Sequence, residues 1–267
     1  MRKLIALAVV CTTALVFAAV AYAVNSYTVT PAATSGGGGK GSSAKPAGKS
    51  IKFGFKTKDA AGGKRGTPVK TYKIGFQGLK YFGKSKAFPK CTLTKLNQKL
   101  ESDVKADCGK AYLGKGVVNN LVGATGNTTT TPIPCLLRLT LYNTGKGFAL
   151  RLDGGNTAKP PTNCPTAVNE SIDARIKTRT VAGKRSASLE FTVPDRLLHP
   201  GAPTISNAIE TTNSTISGRK RKVKIKGKTR RVSILSSVSC GKRNRTIQVS
   251  FTDEAGSTVP AKATTKC

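Results

Sequence analysis

The sequence predicts an all-β fold: an antiparallel β-sandwich of jelly-roll or immunoglobulin-like kind, with one short helix near residues 92–105. Three observations predict it. Apolar and polar residues alternate with period two in segment after segment. Turn residues separate those segments at short intervals, with no helical stretch between most of them. The cysteines bracket local units and lack metal-ligand spacing. Strands with one wet and one buried face, joined without crossover helices, pair antiparallel.

The N-terminus reads as an export signal. Arg2 and Lys3 are followed by an apolar run from Leu4 to Val20, and Ala21-Tyr22-Ala23 is a small-x-small cleavage site. Residues 1–23 are therefore expected to be a signal peptide. Past it, no apolar run is long enough to span a bilayer. Residues 24–49 hold a short possible strand, Tyr27-Thr28-Val29-Thr30, and then a Gly/Ser/Ala/Lys-rich linker with glycines at 36–39. Such a composition is flexible. A single domain is expected over residues 50–267.

Within it the alternating sets are Ile51/Phe53/Phe55, Tyr72/Ile74/Phe76, Leu137/Leu139/Leu141, Phe148/Leu150/Leu152, Ile172/Ala174/Ile176, Leu189/Phe191/Val193, Val223/Ile225 and Ile247/Val249/Phe251. The connection Asn143-Thr144-Gly145-Lys146-Gly147 is a hairpin signal. Leu93, Leu96, Leu100 and Val104 recur at three- and four-residue steps, which is the helical period.

Cys11 leaves with the signal peptide, and six cysteines remain. In an exported chain an even number reads as disulfides, here three. Six cysteines allow 15 pairings. Sequential pairing, Cys91–Cys108, Cys135–Cys164 and Cys240–Cys267, closes one local unit per bond. No Cys-x-x-Cys occurs and His199 is the lone histidine, so neither a zinc site nor another cofactor is expected.

Phe88-Pro89-Lys90-Cys91, followed by Cys108-Gly109-Lys110-Ala111-Tyr112-Leu113-Gly114-Lys115-Gly116, resembles a pattern in secreted actinobacterial proteins. Those proteins share a signal peptide, a Pro/Gly/Lys-rich early segment and basic hairpins. The resemblance covers most of the chain loosely and is firmest around the first two cysteines. It implies export and a β-rich fold, and brings no activity or functional residue with it.

The formal net charge is +33 over 267 residues, from 45 Lys and Arg against 12 Asp and Glu. A chain so basic attracts polyanions. The densest run is Arg219, Lys220, Arg221, Lys222, Lys224, Lys226, Lys228, Arg230 and Arg231. Lys222, Lys224 and Lys226 are expected on one face of a hairpin strand, with Val223 and Ile225 toward the core and the turn at Gly227. Lys242, Arg243 and Arg245 mark the next turn. Two explanations stand: an anion-binding surface, or an edge guarded by lysines against edge-to-edge pairing. Trp is absent and no aromatic residue lies between Arg219 and Arg245, so the stacking platforms of single-strand binders are missing and no specific nucleic acid is expected. The partners expected are anionic cell-wall polymers or other polyanions.

Catalytic signatures are weak. Gly78-Leu79-Lys80-Tyr81-Phe82-Gly83-Lys84-Ser85 has the letters of a phosphate-binding loop, but Pro89 blocks the helix that would follow. His199 sits in a proline-rich turn, and Glu101, Asp103 and Asp107 fall on a solvated helix face. The leading expectation is a secreted, non-catalytic protein associated with the cell envelope. One alternative is an extracellular hydrolase, which calls for two convergent carboxylates in a pocket or an acid within reach of His199. The other is a protein-interaction module with an exposed apolar patch.

Overall fold

The computed structural model describes residues 25–30, 34–35, 41–97, 101–155, 163–240 and 244–267. The expected signal peptide, glycines 36–39, Leu100, and Lys242 and Arg243 lie outside the described residues. In chain order the strands are β1 (Asn25–Thr30), β2 (Thr34–Ser35), β3 (Ala47–Gly48), β4 (Ser50–Asp59), β5 (Val69–Phe76), β6 (Leu79–Tyr81), β7 (Tyr112–Ala124), β8 (Ile133–Asn143), β9 (Gly147–Gly154), β10 (Val168–Val181), β11 (Lys184–Thr192), β12 (Ile205–Ile216), β13 (Lys220–Ile225), β14 (Lys228–Ser233), β15 (Leu235–Ser237), β16 (Asn244–Asp253) and β17 (Thr258–Lys266). The helices are α1 (Leu93–Leu96), α2 (Glu101–Cys108) and α3 (Asp195–Leu198).

The fold is all-β and antiparallel. Twelve strands form one sheet in the order β1-β4-β12-β7-β8-β9-β10-β11-β5-β16-β17, with β2 added on β4. The sheet curls until its edge strands β1 and β17 lie side by side, and rings of β4 meet rings of β5 across the interior. Phe53 and Phe76 are 5.9 Å apart between centroids, and Phe55 and Tyr72 are 5.7 Å apart. The sheet is therefore barrel-like, one continuous ladder rather than two facing sheets. Twist makes a long sheet coil, and bringing its ends together shields the unpaired edges.

The alternating sets point inward as their period requires. Ile51, Phe53 and Phe55, the leucines at 137, 139 and 141, and Ile247, Val249 and Phe251 are all buried in one core. Two long strands carry no comparable apolar signal, because β7 and β12 turn Asn120, Asn207, Thr212 and Ser214 inward. In β12 the inward set is Ile205/Asn207/Ile209, then Thr212/Ser214/Ile216. The shift occurs at a bulge: Ile209 pairs with Asn120 and Thr211 with Asn119, which leaves Glu210 unpaired. One inserted residue exchanges the two faces of a strand.

The barrel has two dissimilar poles. At one, a small sheet in the order β3-β15-β6 covers the end, with Leu79, Ile234 and Leu235 buried in the core. The β13–β14 ribbon stands at this same pole, where β14 lies against β3 and β15. At the other, the β11–β12 connection crosses the barrel end as α3, and Leu197 and Leu198 enter the interior. Described residues on the N-terminal side of Ser50 join the body: β1, the expected short strand, pairs with β4 over six residues, β3, within the stretch expected as linker, pairs with β15, and Lys49 is only 4% exposed. The folded body thus begins well before Ser50, because β4 needs a neighbour on that side.

The helix expected near 92–105 is present as α1 and α2, which pack on the outer face of β8 and β9. Leu96, Val104, Cys108, Tyr142 and Ala149 form a second core there. Arg151 also faces these helices. Its guanidinium grips Asp153 through two bonds, Nε at 3.1 Å and Nη2 at 2.7 Å, and donates to the Leu96 carbonyl at the end of α1. The three disulfides are Cys91–Cys108, Cys135–Cys164 and Cys240–Cys267, the sequential pairing.

Candidate functional site

The basic run folds as a ribbon of its own, β13 paired only with β14. It lies apart from the barrel sheet, and both of its strands are edges, so its lysines also guard edges against pairing with another chain. Lys226 and Gly227 form the two-residue turn with φ of 50° and 76°, the left-handed pair that a tight hairpin turn requires. Lys226 therefore sits in the turn, a correction to its expected place on the strand face. Lys220, Lys222 and Lys224 do share one exposed face, joined by Arg231 directly opposite Lys222. Val223 and Ile225 lie on the other face, half-buried against the core. Like charges placed opposite one another on a ribbon repel.

The ribbon does not act alone. Gly41, Ser42, Lys45, Pro46, Ala47 and Gly48 form, with Lys220 and Arg231, a groove of about 370 Å³. Lys45 is brought there by a tight turn in which Ser42 and Lys45 exchange backbone hydrogen bonds of 3.0 and 3.1 Å. On the opposite flank Lys110, Arg219, Arg221 and Tyr112 meet around a small cleft. Tyr112 is 36% exposed. Partial burial raises its phenol pKa, and the Arg219 charge opposes that rise. Lys45, Lys110 and Tyr112 escaped the sequence reading because each is far from 219–231 along the chain.

Among the described residues, eight of the twelve carboxylates are ion-paired away from the ribbon, Asp153 with Arg151 and Glu254 with His199 among them. Glu101 pairs with Arg138, Asp107 with Lys95, Glu170 with Arg196, Asp173 with Arg175, Glu190 with Lys177 and Arg179, and Asp195 with Lys70. Among the described residues, no ion pair involves any of the nine cations from Arg219 to Arg231. Within the ribbon, the Nε of Arg230 is buried without a hydrogen-bond partner.

Arg245, expected at an exposed turn, is buried inside β16. It donates to the Gln77 carbonyl and to Ser237 Oγ, both at 2.7 Å. Burial lowers its pKa to about 10. The signal was present in the sequence: Arg245 has the parity of Ile247, Val249 and Phe251. It serves the core and is not part of the basic surface.

The features raised for catalysis lead elsewhere. Residues 82–88 form turns, with Ser85 N bonded to the Phe82 carbonyl, so no helix N-terminus faces a phosphate at Lys84-Ser85. An acid does stand within reach of His199: Nε2 is 2.7 Å from Glu254 Oε1. Nδ1 is 3.0 Å from the Ile205 carbonyl, however. Facing two acceptors, the ring is best satisfied when both nitrogens donate, and in that imidazolium form it has no lone pair to act as a base. The Glu254 hydrogen bond, aided by the Ile205 carbonyl and the charges of Glu254 and Asp195, raises its pKa against partial burial. Its stabilising contribution is fully present below the unfolded value of about 6.5 and is lost as pH rises through the higher folded value. Thermal midpoints measured from pH 5 to 9 should therefore fall above about pH 6.5 in the parent protein, and less so in Glu254→Gln. Parallel profiles would disprove the linkage. Asp59 and Glu210 share a second groove of about 320 Å³. Asp59 already accepts from the Ala61 and Gly63 amides at 2.9 and 3.1 Å, so it shapes that loop. Among the described residues no cluster of three His, Cys, Asp or Glu is placed to hold a metal, and no helix is long and apolar enough to cross a membrane.

No protein-family model matches the chain, and no curated protein matches it significantly.

Proposed function

We propose that the protein is an exported, non-catalytic barrel that attaches to anionic polymers of the cell envelope through the pole carrying the β13–β14 ribbon. The observation that carries this reading is a concentration of nine cations on a protruding ribbon without one carboxylate partner, continued by Lys45 on one flank and Lys110 on the other. Repulsion within the ribbon is a standing cost that a bound polyanion removes, and such binding is steered from a distance and weakened by salt. The signal-peptide pattern and three disulfides support an extracellular setting.

The test is sedimentation of the protein with isolated envelopes across a salt series, beside a Lys220→Ala/Lys222→Ala/Lys224→Ala/Arg231→Ala variant. These side chains are exposed, so the fold should survive their loss. Co-sedimentation that falls with salt and is lost in the variant is expected. Salt-resistant binding, or equal binding by the variant, would overturn the proposal.

A further inference from the structure

The barrel interior holds a cavity of about 90 Å³. One water needs about 10–15 Å³, and an engineered apolar cavity of about 150 Å³ takes up benzene. The space here lies between those scales. Its walls are mainly apolar, with Leu139, Leu150 and Phe191 among them. Five polar residues interrupt the apolar lining, Tyr72, Asn120, Asn207, Thr212 and Ser214, and three of them hold an atom without a partner. Tyr72 is fully buried, and its hydroxyl has no hydrogen-bond partner. Thr212 Oγ1 is likewise buried and unpartnered. Asn207 uses its amide nitrogen on the Leu197 carbonyl at 2.9 Å, which leaves its Oδ1 without a partner. A buried donor or acceptor left unmade is costly, and native interiors rarely contain three around one space.

The two ends of the cavity differ. The small β3-β15-β6 sheet covers the barrel at one end without lining the cavity. At the other, Leu197 and Leu198 of α3 close the cavity, and α3 is a connection between strands rather than a strand. Its tethers are the ion pairs of Asp195 with Lys70 and of Arg196 with Glu170, that of the adjoining His199 with Glu254, and the Asn207 amide on the Leu197 carbonyl. The large apolar side chains Ile133 and Ile205 are exposed at the same pole. Register explains why: Ile133 pairs with Val122, as does Asn207, so both isoleucines continue the inward-facing rows past the end of the barrel. They form an apolar lip beside α3.

We propose that the barrel interior is a binding site for a compact apolar molecule bearing one hydroxyl group, of the size of a single small ring or a short alkyl chain. The apolar walls recognise its body. Tyr72 and Thr212 can donate to its oxygen, and Asn207 Oδ1 or Thr212 can accept its proton. Burial raises the Tyr72 phenol pKa, which keeps that group a donor. Such a lining, apolar with a few convergent polar groups, is the ordinary form of a small-molecule site. The site is remote from the basic ribbon, so either proposal can fail without the other.

The test uses phenol and its hydroxyl-free counterpart benzene, followed by thermal midpoint and by the methyl NMR signals of the interior leucines. Phenol should produce a saturable shift of both, and benzene should bind about fivefold more weakly for want of one hydrogen bond. Tyr72→Phe should reduce that preference while leaving benzene binding in place. Leu139→Phe, which fills the space, should weaken both probes at least tenfold. Should Leu139→Phe fail to fold, Tyr72→Phe still decides. Equal affinity for the two probes, an unchanged preference in Tyr72→Phe, or no saturable response up to their solubility limits would overturn the proposal.

Discussion

Asp153→Ala is expected to be among the most destabilising single substitutions in the protein. Arg151 and Asp153 are 1% and 5% exposed at the side chain and form a two-pronged pair beneath α1. Removing the carboxylate leaves a guanidinium in a site closed to water. Breaking a buried pair from one side costs about 3–5 kcal/mol. In a chain of this size each kcal/mol moves the thermal midpoint by about 2–4 °C, so a fall of about 10 °C is expected by calorimetry. Replacing both partners with apolar residues, as Arg151→Met/Asp153→Leu, should be milder than the single change, since no charge is then stranded. It should not reach parent stability, because Arg151 also donates to the Leu96 carbonyl and so fastens α1. A single-variant loss under about 1 kcal/mol, the range of exposed pairs, would mean the pair is solvated in solution.

The second large effect is on envelope binding. Near an anionic surface each Lys or Arg contributes about 1 kcal/mol. Removing Lys220, Lys222, Lys224 and Arg231 together should thus cost about 4 kcal/mol at low salt, roughly a thousandfold in affinity. The dependence on salt should change as well. For single-stranded polyanions the slope of log affinity against log salt is about −0.7 per neutralised charge, so four lost contacts should flatten it by about three units. Alanine at four exposed lysines of the barrel wall, Lys56, Lys58, Lys73 and Lys262, is the matched control. It removes the same charge from elsewhere and should leave most of the affinity in place. Equal losses in the two variants would show that net charge alone drives attachment.

Much of the barrel wall was legible in the sequence because burial on one side imposes period-two alternation. The triplets Ile51/Phe53/Phe55 and Leu137/Leu139/Leu141 give their inward faces directly. The disulfides followed for a related reason: each closes a short local unit, and local closure needs little topology. Strand order was not legible. β5 pairs with β11 and β16, and β12 with β4 and β7, all partners distant in sequence, and alternation alone cannot choose among edges. β7 and β12 were missed as strands because their inward positions include Asn120, Asn207, Thr212 and Ser214, and the Glu210 bulge breaks the parity of β12. Those same polar residues line the interior cavity, so the weak strand signal and the candidate site share one origin.

The basic surface was half legible. Charge density singled out 219–231, and the Gly227 turn followed from its composition. The contributions of Lys45, Lys110 and Tyr112 depend on how the chain returns to that pole. Arg65 shows the same limit in a loop. It is buried among four acceptors, the Ser206 carbonyl and hydroxyl and the carbonyls of Ala124 and Asn127, with no local pattern to announce it.

The most direct test of polyanion attachment at this pole is a titration of isotope-labelled protein with short linear polyphosphate, followed by backbone amide shifts. Perturbations concentrated at 219–231, Lys45–Gly48, Lys110 and Tyr112 are the predicted result. Perturbations of similar size on the barrel wall, at Lys58, Lys73, Lys177 and Lys262, would show a diffuse positive surface and contradict a dedicated site.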